Sequence, residues 1–243
     1  MTSAMEVDSF DNIRHNIARV RERIFKAATK AGRNPDHINI VGVTKEKSAA
    51  VVKELVENGI NYIGESFLNE ALFKIDLLKN FPIQWQMIGT IQNGKEKHIA
   101  GNFACVHSVA RIATAINLNK YAVQFNRVLP IYLELNVSGE SSKHGWPIIE
   151  KDDWEQFLDD LEIILDMTSL DVKGLMTMAP YSINPEDARP SFKRLKEVRD
   201  TLAGRFQKTN INELSMGMSG DFEVAIEEEA TILRIGSALV GPR

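Results

Sequence analysis

The chain holds one cysteine, Cys105, among 243 residues. An intramolecular disulfide is therefore impossible, and a cysteine-rich zinc site is excluded. A basic excess is also missing. The 29 Lys and Arg against 33 Asp and Glu give a net charge of −4 at pH 7, which argues against a general nucleic-acid binder while leaving room for a local basic pocket. No apolar run approaches the length that spans a bilayer. Residues 1–8 lack a basic region followed by an apolar one, so they do not read as a secretory signal. The expectation is a cytoplasmic protein that engages neither nucleic acid nor membrane. Prolines and glycines are scattered rather than gathered into a linker, so a single domain over 1–243 is expected, with 1–8 flexible.

What is present is periodic. Ile13, Ile17, Val20, Ile24 and Ala28 recur at helical spacing, with Asp8 or Ser9 as N-cap and Gly32 as the stop. Arg19, Arg21 and Arg23 lie off this stripe, which fits an amphipathic helix packed on its own domain. Eight short apolar segments follow, at 38–44, 60–63, 84–89, 104–107, 130–136, 171–176, 212–217 and 230–236, alternating with helical stretches such as 48–58, 154–166 and 190–206. Strand–helix alternation implies a parallel sheet, and eight repeats in this length match a single (β/α)8 TIM-type barrel. A doubly wound open sheet is the alternative, since sequence does not show closure. Residues 237–243 are too few for a full closing helix, so the N-terminal helix is expected to cover that part of the barrel.

Chemistry on such a barrel gathers at the C-terminal strand ends. Lys45 ends the first apolar run, where a partly desolvated amine would favour attack on a carbonyl. A solvated lysine opening the Lys45-Glu46-Lys47 loop is the other reading. Near the far end, Gly236 and Ser237 could offer backbone N–H groups to a phosphate, and Ser219 a hydroxyl. Gly217 and Gly220 could equally be plain turn residues. Arg234 stands inside an apolar strand, on one face with Ile232 and Gly236. It could meet a pyridine nitrogen at the barrel mouth, or pair with a carboxylate such as Glu134 or Glu65. An amine, a guanidinium, a hydroxyl and bare glycine backbone together suit pyridoxal 5'-phosphate held as a lysine Schiff base. Met176, Met178, Met216 and Met218 read as packing. The clusters Lys95-Glu96-Lys97-His98, Lys143-His144 and Glu227-Glu228-Glu229 read as solvated, with no metal-site spacing.

From about residue 10 to the end, the chain resembles the pyridoxal phosphate homeostasis protein family, whose fold is similar to the N-terminal barrel of alanine racemase. The resemblance is carried by Val43-Thr44-Lys45, Ile63-Gly64-Glu65, Ile88-Gly89 with Gln92, His107-Ser108-Val109, Glu134-Leu135-Asn136-Val137, Ser142-Lys143-His144-Gly145, Gly174-Leu175-Met176, Leu214–Ser219 and Thr231–Gly241. It implies Lys45 as the Schiff-base lysine, Ser219, Gly236 and Ser237 as phosphate ligands, and Arg234 at the pyridine nitrogen, with Ser215 a weaker candidate for the same pocket. The chain departs from the family's pattern at Ser66-Phe67, Gln86, Thr90, Asn93-Gly94 and Ala110, which reads as an unaltered cofactor floor under an altered mouth.

An arginine at the ring nitrogen disfavours its protonation and weakens the ring as an electron sink. Racemisation also needs a second acid/base group opposite Lys45. Tyr62, Tyr132, His98, His107 and His144 are conceivable substitutes for the one that the family's barrel relative takes from a separate domain. The expectation is a carrier serving intracellular vitamin B6 homeostasis, monomeric and in transient contact with apo forms of pyridoxal phosphate enzymes. The runner-up is a pyridoxal phosphate-dependent amino-acid racemase or another low-activity enzyme. A Schiff-base aldolase without the cofactor is a third reading.

Overall fold

The computed structural model describes residues 4–149, 153–206 and 211–242, with backbone alone at 4–11 and 153. Its strands are β1 (Asn39–Val43), β2 (Tyr62–Glu65), β3 (Gln84–Met87), β4 (Cys105–Val109), β5 (Leu129–Asn136), β6 (Trp146–Pro147), β7 (Leu170–Met176), β8 (Glu213–Ser215) and β9 (Ile232–Ile235). The helices are α1 (Ala4–Lys30), α2 (Ala49–Glu57), α3 (Leu68–Leu77), α4 (Glu96–Asn102), α5 (Ile112–Gln124), α6 (Asp153–Leu165), α7 (Arg189–Arg205), α8 (Phe222–Glu227) and α9 (Ser237–Val240).

All strand pairings are parallel, in the order β4-β3-β2-β1-β9-β8-β7-β5, and β4 also pairs with β5. That last pairing closes an eight-stranded barrel and removes the open-sheet alternative. Each of the eight apolar segments overlaps one barrel strand, with β2 and β4 each running two residues past the segment's end. The two-residue β6 was not legible in the sequence. It runs beside the end of β5, pairing Leu135 with Trp146, after a turn in which Asn136 Oδ1 accepts from the amides of Ser138 and Gly139 at 3.3 and 3.1 Å.

Strand alternation sorts the apolar side chains into two cores. Val41, Cys105, Tyr132, Met176 and Ile232 form a small cluster inside the barrel. A larger one between strands and helices takes in Ile63, Val106, Leu133, Leu175, Leu214 and Leu233 together with helical residues such as Leu55, Leu118 and Phe192.

The stripe Ile13, Ile17, Val20, Ile24 and Ala28 is buried as expected. The helix itself begins earlier than Asp8 or Ser9, at Ala4. Ala4, Met5 and Glu6 are good helix formers, and a capping residue further on did not stop the helix from extending back over them. Residues 1–3 lie outside those described. At the other end, α1 stops at Lys30 and Gly32 takes φ +67°. The helix packs on α8, α9 and α2, with Asn16 donating to the Leu239 carbonyl at 3.1 Å, so it covers the segment where the short tail leaves the barrel.

Glu227-Glu228-Glu229 corrects an expectation. These are not a solvated face but a junction between helices. Glu227 pairs with Lys30 and Arg189, Glu228 with Arg189, and Glu229 with Lys196 and Arg199, at 2.6–2.8 Å. Three acids in a row met cations from α1 and α7, which the sequence separates from them.

Candidate functional site

Closure puts β9 beside β1, with Val41 level with Arg234. The C-terminal ends of these strands therefore open on one cavity of about 390 Å³, and Lys45, Ser219, Arg234, Gly236 and Ser237 all line it. Lys45 is half-buried, two residues past the end of β1. Gly236 caps α9: its carbonyl accepts from the amides of Leu239 and Val240 at 2.8 and 3.0 Å. The amide of Ser237, in the first turn, belongs to the set a helix leaves without an internal partner. Ser219 Oγ accepts from the Ala238 amide at 3.1 Å and so ties the loop after β8 to the same turn. The loop after β7, through Pro180, Tyr181, Ser182 and Asn184, forms the outer wall.

Arg234 is 5% exposed. Its Nη1 donates to the carbonyl and hydroxyl of Ser215 at 2.6 and 2.7 Å, and its Nη2 to the Thr177 carbonyl at 2.9 Å. Its Nε has no hydrogen-bond partner among the described residues. The ion pair with Glu134 or Glu65 is not formed. Glu65 is taken by Lys74, and Glu134 acts on Arg234 through its field alone. Burial pulls the guanidinium down to about 10, against the fields of Glu134 and Asp221, so it is still charged at neutral pH.

Ser215 is fully buried beneath Arg234. It holds the arginine rather than the phosphate, which corrects its place as a pocket candidate. A directed chain of hydrogen bonds runs on from it. His107 Nδ1 lies 2.8 Å from Ser215 Oγ, and His107 Nε2 lies 3.0 Å from Gln86 Oε1. Gln86 Nε2 donates to the Gln84 carbonyl at 3.1 Å. Since Gln86 Oε1 only accepts, His107 carries its proton on Nε2, and Ser215 donates to Nδ1. His107 is stacked on Tyr132 at 4.4 Å. Burial, helped by the field of Arg234, drops its pKa to about 3 and keeps it neutral. Gln86 is thus an interior residue, not part of an altered mouth. Its side chain shares the inward face of β3, and depth along that face was not readable.

The segment carrying Lys45 is held by residues that the sequence reading did not single out for this role. Lys74, on α3, is 2% exposed. Its Nζ donates to the carbonyl of Thr44 at 2.7 Å, to Glu65 at 2.7 Å and to Glu70 at 2.6 Å. Thr44 Oγ1 also donates to Glu65 at 2.6 Å, and the amide of Glu46 donates to Glu70 at 2.7 Å. Glu46 sits at φ +62°, a left-handed conformation unfavourable for such a side chain. The residues on either side of Lys45 are therefore anchored to one buried ammonium group and its carboxylate partners. A Glu70–Lys74 pair at i, i+4 was the only local hint.

On its other side, Lys45 borders a second cavity of about 560 Å³, lined among others by Ser66, Thr90, Gln92, Lys95, Glu134 and Met178. Gly89 shapes its wall, since a Cβ there would lie 2.3 Å from the Ser66 carbonyl oxygen. Ser66 and Thr90 are thus at the mouth, as the departures from the family suggested. Ala110 lies further round, in a cleft with Thr90, Lys143 and His144. Tyr62, Tyr132, His98 and His107 border neither cavity. Met176 and Met216 are fully buried packing residues, whereas Met178 and Met218 reach the cavity walls. Two clusters expected to be solvated are tied in. Glu96 is buried and accepts from Asn117 at 3.3 Å, and Lys143 donates to the Ala179 carbonyl at 3.2 Å. Among the described residues no cluster of His, Cys, Asp or Glu could hold a metal ion.

Fold and cavity together define a class: a parallel (β/α)8 barrel with an amine and a buried guanidinium facing one opening at its C-terminal end. The model of the alanine racemase N-terminal domain family matches residues 9–243. The pyridoxal phosphate homeostasis protein of Aquifex aeolicus is 39% identical over 96% of this chain and 99% of its own length. That of Pseudomonas aeruginosa is 38% identical, covering 95% and 96%. The chain belongs to the pyridoxal phosphate homeostasis protein family. Among solved structures, PipY of Synechococcus elongatus with PLP bound superposes with a TM-score of 0.80 at 25% identity, covering 94% of this chain and all of PipY. Alanine racemase of Clostridium difficile, at 16% identity and a TM-score of 0.73, shares the fold.

Proposed function

We propose that this protein binds pyridoxal 5'-phosphate and carries it on Lys45 in the service of intracellular vitamin B6 homeostasis. The observation that carries the reading is that Lys45, Ser219, Arg234, Gly236 and Ser237 line a single cavity. The donor set fits the cofactor. Lys45 offers a primary amine for the aldehyde. Ser219 and the Ser237 amide stand where a phosphate would be met. Arg234 keeps Nε for the ring nitrogen while Nη1 and Nη2 are spent on Ser215 and Thr177. When bound, the cofactor supplies an aldehyde that condenses with the amine and a ring that can accept electrons. A charged guanidinium at the nitrogen would disfavour protonation of that ring and make it a weaker sink, an arrangement with which racemases still work, so an assay of amino-acid turnover separates carrier from enzyme.

The test is the visible spectrum of protein loaded with pyridoxal 5'-phosphate, before and after borohydride, beside Lys45→Ala. A band that borohydride removes, with the cofactor fixed to Lys45 by mass spectrometry and absent from the variant, is the expected result. Wild type that takes up no cofactor overturns the reading. Racemisation of an amino acid that depends on Lys45 would replace the carrier by the enzyme. We extend the proposal to a cytoplasmic monomer in transient contact with apo enzymes. A dimer mass in light scattering, or no faster loading of an apo enzyme than from free cofactor, would count against it.

A further inference from the structure

Glu134, on β5, is 3% exposed and lines the second cavity, the one that shares Lys45 with the first. Its carboxyl has no hydrogen bond or ion pair among the described residues. A buried carboxyl without a partner is costly, and such a group facing a cavity needs a ligand to meet it. The covalent structure of pyridoxal 5'-phosphate says which atom that is. Its aldehyde carbon stands opposite the ring nitrogen, flanked by the phosphate arm on one side and a phenolic oxygen on the other. On the reading of function above, Lys45 takes the aldehyde, Arg234 the nitrogen, and the turn at Ser219, Gly236 and Ser237 the phosphate. The phosphate side is the cavity between β1, β8 and β9. The phenolic oxygen would then lie on the opposite side, toward the cavity lined from β3, β5 and the loop after β2, where Glu134 lies.

We infer that Glu134 faces the phenolic oxygen of the bound cofactor and donates a hydrogen bond to it. Such a bond needs the neutral carboxyl, the form that burial favours by raising Glu134 from its ordinary value, against the fields of Arg234 on β9 and of His144 and Lys143 in the loop after β5. Lys45 and Lys95 border the same cavity. The sign follows: a group with a raised pKa is a donor at low pH and becomes a repelling anion as pH rises through that pKa.

The experiment begins with borohydride fixation on wild type, which tests the cofactor reading by itself; no fixation overturns that reading and this one with it. Dissociation constants for pyridoxal 5'-phosphate are then measured against pH for wild type, Glu134→Gln and Glu134→Ala, with thermal melts of the apo proteins to confirm folding. Glu134→Ala is expected to weaken binding about tenfold at neutral pH. Glu134→Gln retains an N–H donor and weakens it less. Wild type should lose affinity relative to Glu134→Gln as pH rises, since Lys45's own titration is common to both. Fixation in all three proteins with superimposable pH profiles would overturn the inference. So would variants that melt lower without cofactor yet bind it like wild type, because Glu134 would then be only a counter-charge for Arg234.

Discussion

Among the described residues two cations are buried, Lys74 and Arg234, and they are stabilised in opposite ways. Lys74 sits between α3 and the sheet, with Glu65 and Glu70 both in contact at 2.6–2.7 Å. Arg234 sits inside the barrel, touching carbonyls and a hydroxyl but no carboxylate among the described residues. A charge matched by anions is finished business for the fold: Lys74 spends everything on holding the backbone around Lys45. A charge contacted only by dipoles, with the carboxylates of Glu134 and Asp221 acting from a distance, keeps more of its field for whatever enters the cavity. Each network keeps one open position among the described residues: Glu65 Oε2 is buried without a partner, and Arg234 leaves Nε unused toward the cavity while Nη1 and Nη2 are bonded.

Changes to each cation should separate these roles. The largest effect is expected from Lys74→Met, which strands Glu65 as an unpaired buried acid and should cost about 3–5 kcal/mol. Urea unfolding of the apo protein measures it, and adding Glu65→Leu should recover much of the loss. Arg234→Leu leaves the Thr177 carbonyl without its guanidinium donor and takes one of two donors from the Ser215 carbonyl, which keeps the Thr177 amide, a loss of about 1–3 kcal/mol. Its cofactor affinity should fall by more than its stability implies; equal losses in apo and loaded protein would erase the distinction between the two cations. His107 sharpens the picture through pH. Its folded pKa of about 3 lies below the ordinary 6.5, so the unfolded chain binds the proton first. Stability should therefore decline as pH falls from 6.5 toward 3, by roughly 1 kcal/mol per unit, and His107→Gln should flatten that slope. The smallest effect is expected from Glu70→Gln. Its carboxylate is part-exposed and Lys74 keeps Glu65, so about 0.5 kcal/mol is expected, with slower capture of cofactor by Lys45 in stopped-flow absorbance.

Much of the site was legible because its signals are local. Lys45 at the end of an apolar run, Arg234 at an inward parity, and Gly236-Ser237 at a strand end are visible without knowing any neighbour. Gln86 and Ser215 were misplaced for a different reason. Parity says that a residue points into the barrel, but not how deep, and depth separates a wall residue from an interior one. Lys74 escaped because the burial of a charge on a helix depends on what covers it, and Glu65, on β2, was offered to Arg234 when its partner is Lys74.

The sequence by itself determined the eight strands, their alternation with helices, the amphipathic N-terminal helix and the chemical types at the strand ends. These follow from side-chain period and polarity, which are properties of neighbouring residues. Only the tertiary structure decided that β9 lies against β1, that α1 and α7 neutralise three consecutive glutamates, and that a buried lysine holds the segment bearing another. Barrel closure sets which distant residues become neighbours, and burial then decides which charges must find partners and which are left facing a cavity.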